Sequence, residues 1–158
     1  MRISEQIFPR AVVLICSTDG KRDNVMTVSF ATPISHEPKY VAVAISPKKY
    51  TFGNLNRVKE FTLNVLSQEM LKEAKICGSY SGRDKDKFNL AKLEKEKSKF
   101  VRPSMIKNCP ISFECKIEEM KEFGDHYLIV GKVLNEVIRK INFKPLLHKS
   151  DEIFPKII

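Results

Sequence analysis

The chain most constrains its own fold between Ala11 and Ser46, where apolar, strand-forming runs arrive close together with turn residues between them. Ala11–Thr18 is a short apolar run closed by Asp19-Gly20, a pairing that favours a hairpin turn. Asn24 to Ala31 follows, with Val28 and Phe30 alternating against Thr27 and Ser29, the two-residue period of a strand. Pro33 and Pro38 punctuate the next connection, and Tyr40 to Ser46 reads as a buried strand. Ala42 and Ala44 keep one face of that strand thin, which leaves room for something bulky.

The same local rules carry through the rest of the chain. Tyr50 to Val58 places Phe52, Leu55 and Val58 at helical spacing, with Thr51 as the expected cap. Glu60 to Leu66 alternates as a strand, and Ser67-Gln68-Glu69 opens a short helix from Met70 to Cys77. Gly78 to Arg83 is expected as a loop. Ile111 to Met120 and His126 to Lys140 form a long hairpin about Gly124-Asp125, and Phe143 to Ile158 is an irregular tail with Pro145 and Pro155. Strands outnumber helices and are joined by turns, so a closed or partly closed antiparallel barrel with a few short helices is the economical architecture. At 158 residues one domain spanning 1–158 is expected.

No apolar run reaches the roughly 20 residues needed to cross a bilayer, and Met1 to Gln6 lacks a signal-peptide core. A cytoplasmic protein without a membrane role is therefore expected. Cys16, Cys77, Cys109 and Cys115 are scattered with no Cys-x-x-Cys pair, so free thiols in or near the core are expected, with no metal.

The net charge is +9, and the segment Arg83 to Lys107 holds nine Lys/Arg against four Asp/Glu. A solvated, charge-laced segment accounts for most of this excess. A basic nucleic-acid-binding barrel is the rival reading, but aromatic and basic residues do not interleave on the strands as base stacking requires. No nucleic acid is expected as a partner.

The sequence carries no Gly-x-Ser-x-Gly elbow, no phosphate loop ending in Gly-Lys, and no Gly-x-Gly-x-x-Gly opening a helix. Any chemistry is then expected to reside in a cofactor that the chain binds and orients. Three segments offer a grip. Thr27 to Ser29 with Ala44 to Ser46 either meet the polar edge of a flat ring or are plain core strands. Ser46-Pro47-Lys48-Lys49-Tyr50-Thr51, running into a helix, suits a phosphate monoester or is a solvated turn. Cys77-Gly78-Ser79-Tyr80-Ser81-Gly82-Arg83 through Lys87 adds glycines, hydroxyls and charge. His126, beside Asp125 at a turn, is either solvated or functional, and His36 is expected to face solvent.

Taken in order, these segments resemble one family. Asn24-Val25-Met26-Thr27-Val28-Ser29-Phe30 with Thr32-Pro33-Ile34-Ser35 and Pro38 is similar to the flavin-contacting strand of the flavin reductase-like, FMN-binding split barrels. Ile45-Ser46-Pro47 to Thr51, Cys77 to Phe88, Gly124-Asp125-His126 with Gly131, and Pro145-Leu146-Leu147-His148 resemble its later elements. The resemblance implies a mainly β, six-stranded antiparallel Greek-key split barrel with a few short helices, dimerised with FMN near the subunit interface. It implies cofactor contacts at Asn24, Met26, Thr27, Val28, Ser29, Ala44, Ile45, Ser46, Tyr50, Thr51, Ser79, Ser81, Gly82, Arg83 and Lys87. Thr27 and Ser29 would face the ligand, with Val28 and Phe30 turned to the core.

His126 would be the catalytic residue that helps place a reduced nicotinamide. The implied activity is hydride transfer from NADH or NADPH to flavin, and onward to a small-molecule or protein acceptor. A passive FMN electron carrier reduced by a partner needs the same grip, and a pyridoxamine-phosphate-oxidase-like use of a related barrel is a further alternative. The chain ends at Ile158 soon after His148, so a short C-terminal arm is expected.

Overall fold

The computed structural model describes residues 1–149 and the backbone of 152–154. After a short 3₁₀ turn at Ile3–Glu5 come β1 (Arg10–Ala11), β2 (Val13–Thr18), β3 (Asp23–Val28), β4 (Ala31–His36) and β5 (Lys39–Ile45). Helix α1 (Tyr50–Val58) leads to β6 (Glu60–Val65), then α2 (Leu71–Ser79) and α3 (Lys87–Leu90). β7 (Lys95–Glu96) and β8 (Met105–Ile106) pair with each other. The long strands β9 (Ile111–Phe123) and β10 (His126–Ile138) follow, then β11 (Leu147–Lys149) and β12 (Glu152–Phe154).

The main antiparallel sheet has seven strands in the order β3-β2-β6-β9-β10-β5-β4. This corrects the expected six. The run read as one strand from Asn24 to Ala31 breaks at Ser29 and Phe30, and the proline-marked connection after it forms β4, antiparallel to β5. Proline removes a ladder donor, so it survives only at an edge or a bulge. Pro33 has both: β4 is the sheet's edge strand, and its register slips between Pro33 and Ser35. Pro38 sits in the turn that joins the two strands.

Strand β2 shows why the sheet has two cores. All six of its residues are buried, and successive side chains point to opposite faces. Val13 and Ile15 join Val43, Ile45, Phe61, Ile117 and Ile129 in a cluster that also takes Leu55 of α1. Leu14 and Cys16 instead meet Ala74 and Cys77 of α2, Phe88 of α3 and Ile106 of β8. The first cluster draws on both β3 and β5, so the sheet curls around it as a barrel does. Helices α2 and α3 cover the second cluster and stand beside β3.

Two further readings change. Thr51 does not cap α1: Lys49 occupies that position without a side-chain cap bond, and the Thr51 hydroxyl is buried. The tail expected to be irregular contains β11, which pairs with both β1 and β12. Pro155 lies outside the described residues. All four cysteines are free and buried, as their scatter implied.

Candidate functional site

Two cavities lie end to end along β3. The first has a volume of about 290 Å³ and is built where α2 and α1 approach that strand. β3 supplies Asn24, Met26 and Thr27, and the start of α1 supplies Tyr50 and Thr51. The end of α2 and the loop after it bring Ser79, Ser81, Gly82 and Arg83, and α3 brings Lys87. The second cavity, about 190 Å³, is lined by Val28 and Ser29, by Ala44, Ile45 and Ser46 after the thin face of β5, and by His126. Met26, Thr27 and Lys49 line both, so they form one continuous groove. Every residue proposed from sequence as a cofactor contact, together with His126, lines it.

Local chemistry holds these groups in place. The Thr27 hydroxyl donates to the Ala74 carbonyl at 2.6 Å and ties β3 to α2. Asn24, buried, donates through Nδ2 to the Thr51 hydroxyl at 2.9 Å. Gly82 is packed so closely that a Cβ there would lie 2.1 Å from Asn24 Oδ1 and 2.7 Å from Tyr50 Cδ1. Only glycine fits this approach. The Arg83 backbone N–H donates to Ser81 Oγ, and its guanidinium to the Lys48 carbonyl at 3.3 Å.

The first cavity is strongly cationic. Lys48, Lys49, Arg83 and Lys87 line it, and no Asp or Glu does among the described residues. Lys87 is the informative one. It is 5% exposed, and its Nζ donates to the Cys77 carbonyl at 3.0 Å. Burial pushes its ammonium below the usual lysine value, and no carboxylate pairs with it among the described residues. An unpaired buried cation costs free energy until an anion answers it.

The second cavity is flatter and less charged. Ala44 N–H donates to the Phe30 carbonyl at 2.9 Å, which extends the β4–β5 ladder past Ala31. Phe30 also lines this cavity, and its ring lies 5.4 Å from that of His126. It was expected to turn to the core; it is half-buried against the barrel cluster, and it also borders the cavity. His126 Nδ1 lies 2.7 Å from Asp125 Oδ1. That bond also holds the Asp125 carboxyl below its ordinary value. A carboxylate only accepts, so the proton sits on Nδ1, and in the neutral ring Nε2 is left as an acceptor.

Several lining residues were not singled out from sequence as contacts. Lys48 and Lys49 stood in a segment noted for its lysines, and that charge was the available signal. Cys77, Gly78 and Tyr80 line the first cavity as neighbours of expected residues. Arg22, outside the lining but bonded to the Gly82 carbonyl and, at 3.4 Å, to the Tyr50 hydroxyl, had no local signal. Its role depends on where the β2–β3 turn falls.

The groove is thin at one end and cationic at the other, and runs beside strands of a curled antiparallel sheet. Residues 4–155 match the flavin reductase like domain family, and the chain belongs to it. It is 32% identical to an uncharacterized protein of Archaeoglobus fulgidus over 92% of this chain and 86% of that one. To a flavin reductase of Pseudomonas putida it is 27% identical, covering 80% of this chain and 71% of the relative. The fold matches a crystal structure of flavoredoxin from Methanosarcina acetivorans with a TM-score of 0.85 and 24% identity, covering 98% of this chain and 89% of that one. The chain is thus a member of a flavin-related oxidoreductase family.

Proposed function

We propose that this protein is a cytoplasmic, homodimeric, single-domain flavin reductase that binds FMN and takes hydride from NADH or NADPH. Lys87 carries this reading: a buried lysine with no carboxylate partner among the described residues, in a cavity that none of their acids lines, favours an anion such as a phosphate. The residues fit the flavin at both ends. Gly82 lets the loop after α2 close tightly on Asn24 and Tyr50 at the cationic end, and Ala44 leaves the ring end thin.

In this reading Lys87, Arg83, Tyr50 and Thr51 hold the phosphate, with Ser79 and Ser81 beside it. Met26 and Thr27 line the middle of the groove. Val28, Ser29, Ala44, Ile45 and Ser46 border the ring, where backbone N–H and C=O groups meet its polar edge. Bound there, FMN supplies the hydride-accepting centre and stores the electron pair until an acceptor takes it. His126, held by Asp125, faces the ring end and orients the nicotinamide so that donor and acceptor meet at close range. Phe30 backs that imidazole and limits its motion. The acceptor is a small molecule or a protein.

Titration of the purified protein with FMN, followed by anaerobic mixing with NADH and with NADPH, tests the proposal. Saturable FMN binding and bleaching of the bound flavin by either nucleotide are expected. Absence of FMN binding refutes the site. Binding without bleaching removes the reductase activity and leaves a passive electron carrier.

A further inference from the structure

At the cationic end of the groove two rim segments are fastened together from outside the lining. Gly82 is pressed against Asn24 and Tyr50, with no space for even a methyl group between them. Behind that contact the Arg22 guanidinium donates to the Gly82 carbonyl and, at 3.4 Å, to the Tyr50 hydroxyl. One side chain therefore spans the two rims, joining the loop after α2 to the start of α1. The guanidiniums of Arg22 and Arg83 each also lie 5.9 Å from the centroid of the Tyr50 ring.

Arg22 is placed with unusual care for an exposed residue. The β2–β3 turn folds on Asp19, whose Oδ1 accepts from the backbone N–H groups of Lys21 at 2.8 Å and Arg22 at 2.7 Å. The Thr18 hydroxyl accepts from Gly20 N–H and donates to the Arg22 carbonyl at 3.2 Å. Gly20 takes the left-handed φ of 98° that this turn needs. The turn is set before its side chain reaches across. Both bonds leave Nη2, at the far end of the arginine side chain, a point the shorter lysine side chain does not reach.

We infer that Arg22 is a specificity-determining residue. By fastening Gly82 to Tyr50 it narrows the phosphate end, so the groove accepts a flavin ending in a phosphate monoester and disfavours a dinucleotide. The inference rests on reading the cationic cavity as the flavin phosphate site. A terminal monoester carries about two negative charges at neutral pH and needs no exit. In FAD the corresponding phosphate is a ribityl ester on one side and a phosphoanhydride on the other, carries one charge fewer, and requires a path outward for the adenylate. In this reading the tie from Arg22 to Gly82 and Tyr50 narrows that path. Arg22 also adds positive charge behind the position of the monoester.

The test is a set of fluorescence titrations of the full chain with FMN, FAD and riboflavin, for the native protein and for R22A and R22K. The native protein is expected to bind FMN at least about tenfold more tightly than FAD, the scale of one charge-assisted hydrogen bond. In R22A this preference should fall by most of that factor, through weaker FMN and stronger FAD binding, with riboflavin unchanged. R22K should recover FMN affinity through its charge but not the rejection of FAD, because it does not span both acceptors. An equal native affinity for FMN and FAD, or an unchanged ratio in both variants, overturns the role of Arg22 while leaving the flavin site standing. A native protein that binds none of the three flavins overturns the site and the inference with it.

Discussion

Asn24 on β3 and Thr51 in the first turn of α1 share a buried hydrogen bond of 2.9 Å across 27 residues of sequence. Each is almost wholly buried, at 4% and 2% exposure. The bond fixes how far the helix start stands from the strand, and both residues line the cationic cavity.

Asn24→Ala removes the donor and leaves the Thr51 hydroxyl buried without it. A loss of roughly 1–3 kcal/mol of stability is expected for such an orphaned group. Denaturant unfolding of the apoprotein measures it, and FMN affinity should fall in the same variant as the helix start drifts. Unchanged values for both would show that the bond sets neither stability nor FMN binding.

Gly82→Ala places a methyl group 2.1 Å from Asn24 Oδ1, closer than any relaxed contact. The loop must move, and it carries Ser81 and Arg83 with it. FMN affinity should drop by about tenfold or more, the scale of losing a charged contact. Global stability should change far less, because the loop is anchored by few buried apolar contacts. Paired titration and thermal melting separate the two effects.

Lys87→Met keeps the length of the side chain and deletes its charge. FMN should bind roughly 10- to 100-fold more weakly, the range for a hydrogen bond to a charged group. Riboflavin, which has no phosphate, should bind as before. The apoprotein should unfold at the same or a higher denaturant concentration, since a costly buried charge is gone. An equal loss for FMN and riboflavin would place Lys87 away from the phosphate.

The thiols give a pH dependence with a definite sign. Burial pushes Cys77 and Cys109 from the ordinary value of 9.0 up to about 12. The unfolded chain therefore releases these protons near pH 9, while the folded chain keeps them until about pH 12. Through that window the folded state binds more protons, so stability is complete below it and falls as pH rises. Unfolding midpoints measured from neutral to alkaline pH should decline, and replacing both cysteines by alanine should flatten the decline. A thiol reagent at about pH 8 should react slowly with the native protein and with all four cysteines once it is unfolded.

His126→Ala should leave FMN binding within about twofold while lowering kcat/KM for the reduced nicotinamide by about tenfold or more, the loss expected when a positioning group is removed. A parallel loss of FMN affinity would make the imidazole a flavin contact instead.

Most strands were legible because their signals are local. Val28 alternates with Thr27 and Asn24-to-Val28 pairs with β2 about the Asp19-Gly20 turn, so period and turn agree. The long β9–β10 hairpin followed for the same reason, with Gly124-Asp125 between its strands. β4 was missed because proline ordinarily argues against a strand, and only the sheet order makes Pro33 an edge residue. Thr51 read as a helix cap because capping is the local use of threonine. Its buried bond to Asn24 needs a strand brought beside it.

The sequence by itself determined the strand-rich architecture, the free thiols and the candidate groove residues, since periodicity, turn chemistry and residue type are properties of short segments. Tertiary structure alone decided that these segments form one groove, that Lys87 is buried with no carboxylate partner among the described residues, and that Arg22 reaches Gly82. Burial and electrostatic pairing depend on which distant groups share a low-dielectric space. Chain folding supplies that information.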